Sequence, residues 1–184
     1  MSHIVAISGS PTLHSRTGRL VSDLLSRVAQ ETGGSARLID IAELVSDLAI
    51  RSRADASSLL LDALHDVEQA DLLIVGSPVY NGSYTGLFKH FIDLINYKSL
   101  LRVPVALIAT GGSDRHAMVI DHQLRPLFGF FNAQVLPTGV FVSDSAYRDG
   151  YIRDPLLQER LSQLVQESVN ALQTGVRIRD LSPA

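Results

Sequence analysis

The sequence predicts an α/β protein in which helices cover both faces of a parallel five-stranded sheet. Three observations carry this. Five short runs are nearly continuous in apolar, often β-branched residues, as strands buried on both faces require. The segments between them place apolar residues at helical spacing. Alternation of the two patterns calls for right-handed strand–helix–strand units. With 184 residues, 46% apolar and 19% charged, the chain is expected to fold as one domain, 1–184, around a substantial core.

The strand candidates are residues 4–8, 37–41, 71–77, 104–110 and 134–142. In the first helix Leu20, Val21, Leu24, Leu25 and Val28 share a face. In the second, Leu59, Leu60, Leu64 and Val67 do so. In the third, Leu87, Phe88, Phe91, Ile92 and Ile95 face inward, with Lys89, His90, Asp93 and Asn96 outward. A fourth helix is expected over 113–128. The last starts with Asp154 as N-cap and Pro155 at the first helical position, and turns Leu157, Leu161, Leu164, Val165 and Leu172 inward. Residues 43–58 and 143–153, the latter with Tyr147 and Tyr151, read as irregular connections, and 174–184 as a loosely held tail. Five strands in this arrangement favour the order 2-1-3-4-5, the flavodoxin-like three-layer fold.

In such a sheet ligands bind outside the carboxyl ends of the strands, where the order reverses. Three loops meet there: 8–17, 76–84 and 109–114, all rich in small and hydroxyl residues. The first leads from a strand into a helix, whose leading N–H groups lack intrahelical partners and carry the positive end of the dipole. It fits an anion, and equally a plain cap at Ser15 with a turn at Ser10-Pro11. It lacks both G-x-G-x-x-G and G-x-x-x-x-G-K-[ST], which disfavours a dinucleotide pyrophosphate or a triphosphate and leaves a single terminal phosphate. Pro78 and Tyr80 of the second loop are placed to flank a flat ring, and the Gly-rich third loop to close its far side. Each also reads as an ordinary strand-to-helix turn.

Other classes are disfavoured. A net charge of −3 argues against nucleic-acid binding, and no apolar run reaches the roughly 20 residues of a membrane span. The absence of cysteine excludes disulfides and thiolate chemistry. The strand at the very start, with no basic leader, suggests a cytoplasmic protein. His116 and His122 lack ligand spacing and a carboxylate cluster, so no metal site is expected. Gly82-Ser83-Tyr84-Thr85-Gly86 has Tyr where a hydrolase elbow has Ser, and neighbouring Asp121-His122 make no triad.

Ser8-Gly9-Ser10-Pro11 with Ser15-Arg16-Thr17, then Ser77-Pro78-Val79-Tyr80-Asn81 leading to Gly86-Leu87-Phe88-Lys89, then Ala109-Thr110-Gly111-Gly112, resemble the NAD(P)H-dependent FMN reductases over residues 4–172. The segment Asp121-His122-Gln123-Leu124-Arg125-Pro126 resembles most the FMN reductases of two-component sulfonate monooxygenase systems, which carry an extra residue in the fourth helix. The resemblance implies that Ser10, Ser15, Arg16 and Thr17 surround the FMN phosphate. It places Pro78, Val79, Tyr80 and Asn81 along the isoalloxazine and ribityl chain, and Thr110, Gly111, Gly112 and Ser113 along the ring's far edge. Arg102-Val103 departs from the Gly-Lys that the family often has before the fourth strand.

Pro126 has no N–H for the His122 carbonyl, so a kink or π-bulge is expected near His122. The resemblance puts this helix at a subunit interface, in a homodimer or homotetramer. His122 is either a contact there near the flavin or an exposed residue at a kink. The apolar run at 127–131 fits an interface or the core equally.

The implied reaction passes a hydride from NADPH or NADH to FMN. The cofactors carry that chemistry, so no catalytic side chain is expected. Reduced FMN then serves a partner monooxygenase. The alternatives are an FMN-bound quinone, azo or metal-oxyanion reductase, and a flavodoxin-like electron carrier. Arg16, Arg115 and Arg125 are candidates for a nicotinamide 2′-phosphate.

Overall fold

The computed structural model describes residues 1–148 and 151–174. The loose tail expected over 174–184 lies outside the described residues, apart from Thr174 itself. Five strands form one sheet: β1 (His3–Ser8), β2 (Ser35–Asp40), β3 (Leu72–Pro78), β4 (Pro104–Gly111) and β5 (Gln134–Ser143). Their order is β2-β1-β3-β4-β5 and every neighbouring pair is parallel, as the alternation predicts.

Alternate residues of each strand feed two separate cores. Val5, Ile7, Leu73, Val75, Val105 and Leu107 pack on one face under α2 (Ser58–Glu68), α3 (Gly86–Asp93) and α4 (Arg125–Phe130). Ile4, Ala6, Leu72, Ile74, Ala106 and Ile108 pack on the other under α1 (Arg16–Thr32) and α5 (Pro155–Thr174). These central strands are apolar throughout because each face meets a helix layer.

Local capping follows the sequence. The Ser15 hydroxyl accepts from Gly18 N at 2.9 Å and starts α1. Asp154 accepts from Leu156 N at 2.9 Å and starts α5 at Pro155. In α5 the fully buried positions are Leu161, Leu164, Val165, Ser168 and Val169, while Leu157 and Leu172 are only partly covered.

Some expectations change. In α2, Leu59 is 48% exposed, and the buried face is Leu60, Ala63, Leu64 and Val67. The residue one step before Leu60 points 100° away from it, so the apolar run is wider than the buried stripe. His90, expected outward, has its Nε2 buried without a partner. The connection 143–153 includes two short antiparallel strands, β6 (Tyr147–Arg148) and β7 (Tyr151–Ile152).

The predicted helix over 113–128 is not one element. A 3-10 turn (Asp114–His116) is followed by a π-helix (Ile120–Leu124) and then α4. The π-turn contains His122 and stands before Pro126, where the missing N–H breaks the α-pattern. In the run after it, Phe128 and Phe131 are core residues, whereas Phe130 is 69% exposed.

Candidate functional site

The three hydroxyl-rich loops do meet at the carboxyl ends of β1, β3 and β4, and direct hydrogen bonds join them. Gly9 N donates to Gly76 O at 2.7 Å, tying the first loop to β3. Thr85 Oγ1 donates to Gly9 O at 2.7 Å and accepts from Phe88 N, so the cap of α3 also holds the first loop. Val79 N donates to Thr110 O at 2.8 Å. The buried hydroxyls of Thr17 and Thr110 meet at 2.6 Å, joining α1 to β4 through the site.

Glycines permit the close approach. A Cβ on Gly9 would stand 3.0 Å from the Phe88 ring, and one on Gly76 would stand 2.3 Å from Val21 Cγ2. Gly82 and Gly112 instead have nothing within 4 Å of a Cβ position, so the loop surfaces there are open.

The sequence-predicted residues fall into distinct roles. Ser10 is buried, and its hydroxyl accepts from Thr12 N at 3.2 Å to form a tight turn. Ser15 caps α1. Arg16 reaches Asp144, with Nη1 to Oδ1 at 3.0 Å, and lies 5.5 Å above the Tyr147 ring. Thr17 directs its hydroxyl inward to Thr110, leaving its backbone N–H in the first turn. Pro78 and Val79 are partly covered and Tyr80 is 49% exposed. Asn81 and Gly82 have φ of 50° and 85°, and Tyr80 and Ser83 exchange backbone bonds at 2.8 and 3.1 Å. That is a tight type I′ hairpin, which presents Tyr80 at the surface. Gly111 packs against Phe141, and Ser113 precedes the 3-10 turn.

Sequence reasoning missed three features. The Asn81-Gly82 pair is itself a hairpin signal that was legible. Ser83 Oγ donates to Gln123 Oε1 at 3.1 Å, linking the second loop to the π-helix. A cleft of about 530 Å³ at the end of β5 adjoins the third loop, with Asp114, Phe141, Ser143, Arg153 and Arg160 among its walls. Arg125 also needs correcting as a candidate for the nicotinamide 2′-phosphate. Its guanidinium is already spent on Asp121 Oδ1 (2.7 Å), Leu136 O (2.8 Å) and Pro137 O (2.6 Å), which fasten the helix to β5.

The site suits FMN. The first turn of α1 carries no carboxylate of its own, so the N–H groups of Arg16 and Thr17 can seat an anion, with Asp40 Oδ2 nearby at 3.8 Å from a Cβ position on Gly18. Ser8 Oγ, beside that turn, is buried without a partner, a polar atom left over by the protein's own bonding. Gly82, two residues after Tyr80, and Gly112 leave open space on the second and third loops. Among the described residues no His, Asp and Glu group could hold a metal ion, and no helix is long and apolar enough to cross a membrane.

Known proteins resemble this chain in sequence and in fold. A protein of Pseudomonas putida named NADH-dependent FMN reductase SfnF is 46% identical over 164 residues, 88% of each chain. An FMN reductase (NADPH) of Pseudomonas aeruginosa is 45% identical over 156 residues, 83% of each chain. The apo crystal structure of an NADH:FMN oxidoreductase, EMOB, superposes with a TM-score of 0.80 at 29% identity, over 96% of this chain and 91% of its own. The family profile described as NADPH-dependent FMN reductase matches residues 2–148, a span that runs from β1 to β6 and takes in all three loops. By that match and those relatives, the chain belongs to the NADPH-dependent FMN reductase family.

Proposed function

We propose that this protein is a flavin reductase that uses NADPH or NADH to reduce FMN and releases the reduced flavin to a partner monooxygenase. The observation that carries it is the convergence of three loops from β1, β3 and β4, locked together through Thr17–Thr110, Thr85–Gly9 and Val79–Thr110. FMN, when bound, supplies the hydride acceptor.

The chain's own residues bind and orient. The first-turn N–H groups of α1, with Ser10, Ser15, Arg16 and Thr17 around them, hold the phosphate. Pro78, Val79, Tyr80 and Asn81 support the ring and ribityl chain from one side. Thr110, Gly111, Gly112 and Ser113 line its far edge, where the small residues let backbone groups approach. The exposed Tyr80 leaves a surface over which a nicotinamide can stack, and no side chain has to move a proton. We take 1–184 as one FMN-binding domain. We place it in the cytoplasm, where the nicotinamide reductants are, and expect a homodimer or homotetramer. The π-helix with exposed His122, and Phe130 beyond it, form the surface suited to that contact.

Stopped-flow mixing with NADH and with NADPH, each with FMN present, tests the reading. Protein-dependent bleaching of FMN absorbance is the expected result, and its absence with both nucleotides refutes it. Sequential kinetics mark FMN as an exchanging substrate. Ping-pong kinetics in a yellow purified protein mark a reductase that keeps its flavin for a second substrate.

A further inference from the structure

We infer that Asp144 sets how tightly FMN is held, by competing with the flavin phosphate for Arg16. The inference rests on the assignment of Arg16 to the phosphate seat. Arg16 is the first residue of α1, at the positive end of a helix with no carboxylate in its first turn. Its guanidinium is drawn instead to the connection after β5. There Nη1 donates to Asp144 Oδ1 at 3.0 Å, and the group lies 5.5 Å above the Tyr147 ring.

Both charged side chains are about half exposed, at 45% and 47%. Exposed pairs of this kind are weak and readily exchange partners. The platform beneath them is firmer. Tyr147 packs against the core under α1 and α5, and its hydroxyl is buried without a partner. A phosphate arriving at α1 therefore meets a cation already half-neutralised, with a carboxylate close behind it. Arg16 must give up its contact with Asp144 before it can serve the phosphate fully, so Asp144 lowers the affinity for FMN. The same carboxylate draws Arg16 away from a bound phosphate, which hastens release. That property suits an enzyme whose reduced flavin is its product.

Equilibrium titration and stopped-flow release of FMN and riboflavin test the competition in wild type, Asp144→Asn, Arg16→Ala and the double variant. Asp144→Asn should lower the FMN Kd by about threefold, the scale of one exposed pair, and slow FMN release. Riboflavin, which has no phosphate, should bind unchanged. In the Arg16→Ala background the Asp144 substitution should have no effect on FMN. That background also controls for Arg19, whose charge reaches Tyr147 as well. An unchanged or weaker FMN affinity in Asp144→Asn overturns the inference, as does tightening that survives without Arg16. Asp144→Ser provides a second variant with the same expected result, and circular dichroism checks that each variant is folded. If Arg16→Ala leaves FMN affinity untouched, the phosphate assignment fails first.

Discussion

Thr17 and Thr110 illustrate how one hydrogen bond serves both stability and the site. Their hydroxyls lie 2.6 Å apart in the interior, so removing one strands the other in a dry setting. Thr17→Val should cost about 1–3 kcal/mol in chemical denaturation and weaken FMN binding, because α1 is no longer held to β4. Ser15→Asp separates fold from function in a different way. Aspartate caps a helix as well as serine does, so stability should hold. The new carboxylate would face the flavin phosphate, and FMN affinity should fall at least tenfold by fluorescence titration, an effect of roughly 1.4 kcal/mol or more. Arg102 stands where the resemblance leads one to expect glycine. Its φ of 60° lies in the left-handed region that glycine occupies without strain. Arg102→Gly should therefore raise stability by about 0.5–1 kcal/mol, seen as a higher Tm.

Among the elements, the fourth helix shows where sequence reading works and where it stops. Pro126 announces a broken pattern near His122, and the π-helix at Ile120–Leu124 is the form that break takes. The single helix expected over 113–128 fails because periodicity alone does not register a 3-10 turn ahead of a π-turn. The segment is held in part by distant partners, Ser83 for Gln123 and the β5 carbonyls for Arg125. Helix starts were legible because capping is local. Asp154 and Pro155 name the beginning of α5, and Asp154→Ala should cost about 1 kcal/mol of stability. Which apolar residue of a run is buried is less local. Leu59 and Leu60 are indistinguishable in type, and only the position of the sheet leaves Leu59 outside.

Across the whole molecule, ligand and proton linkage give two measurable consequences. FMN at about 100 times its Kd should stabilise the protein by about 2.7 kcal/mol, with a Tm that climbs with FMN concentration. On the other side of the sheet from α1, Arg53 pairs with Glu68, whose side chain is only 11% exposed. Burial alone pushes the Glu68 carboxyl up, but its hydrogen bonds from Arg53 and from Asn96 N, with the Arg53 charge, bring it below its ordinary value of 4.5. A carboxyl held low in the folded state stabilises fully above that ordinary value and loses its contribution as pH falls through the lower folded one. Glu68→Gln should thus be less stable than wild type near neutrality, with the gap narrowing below pH 4.5 in acid titrations of unfolding.

The sequence by itself determined the strands, their parallel sheet, most of the helix faces and the three loops that meet at the strand ends. These depend on periodicity, capping and small-residue loops, all of which act over a few positions. Only the tertiary structure decided how the site is wired. It turned the Thr17 hydroxyl inward to Thr110, gave Arg125 to β5, and set Arg16 against Asp144. Each of those pairings joins residues whose proximity is created by packing helices on a sheet, and no local pattern encodes which distant partner a hydroxyl or guanidinium will meet.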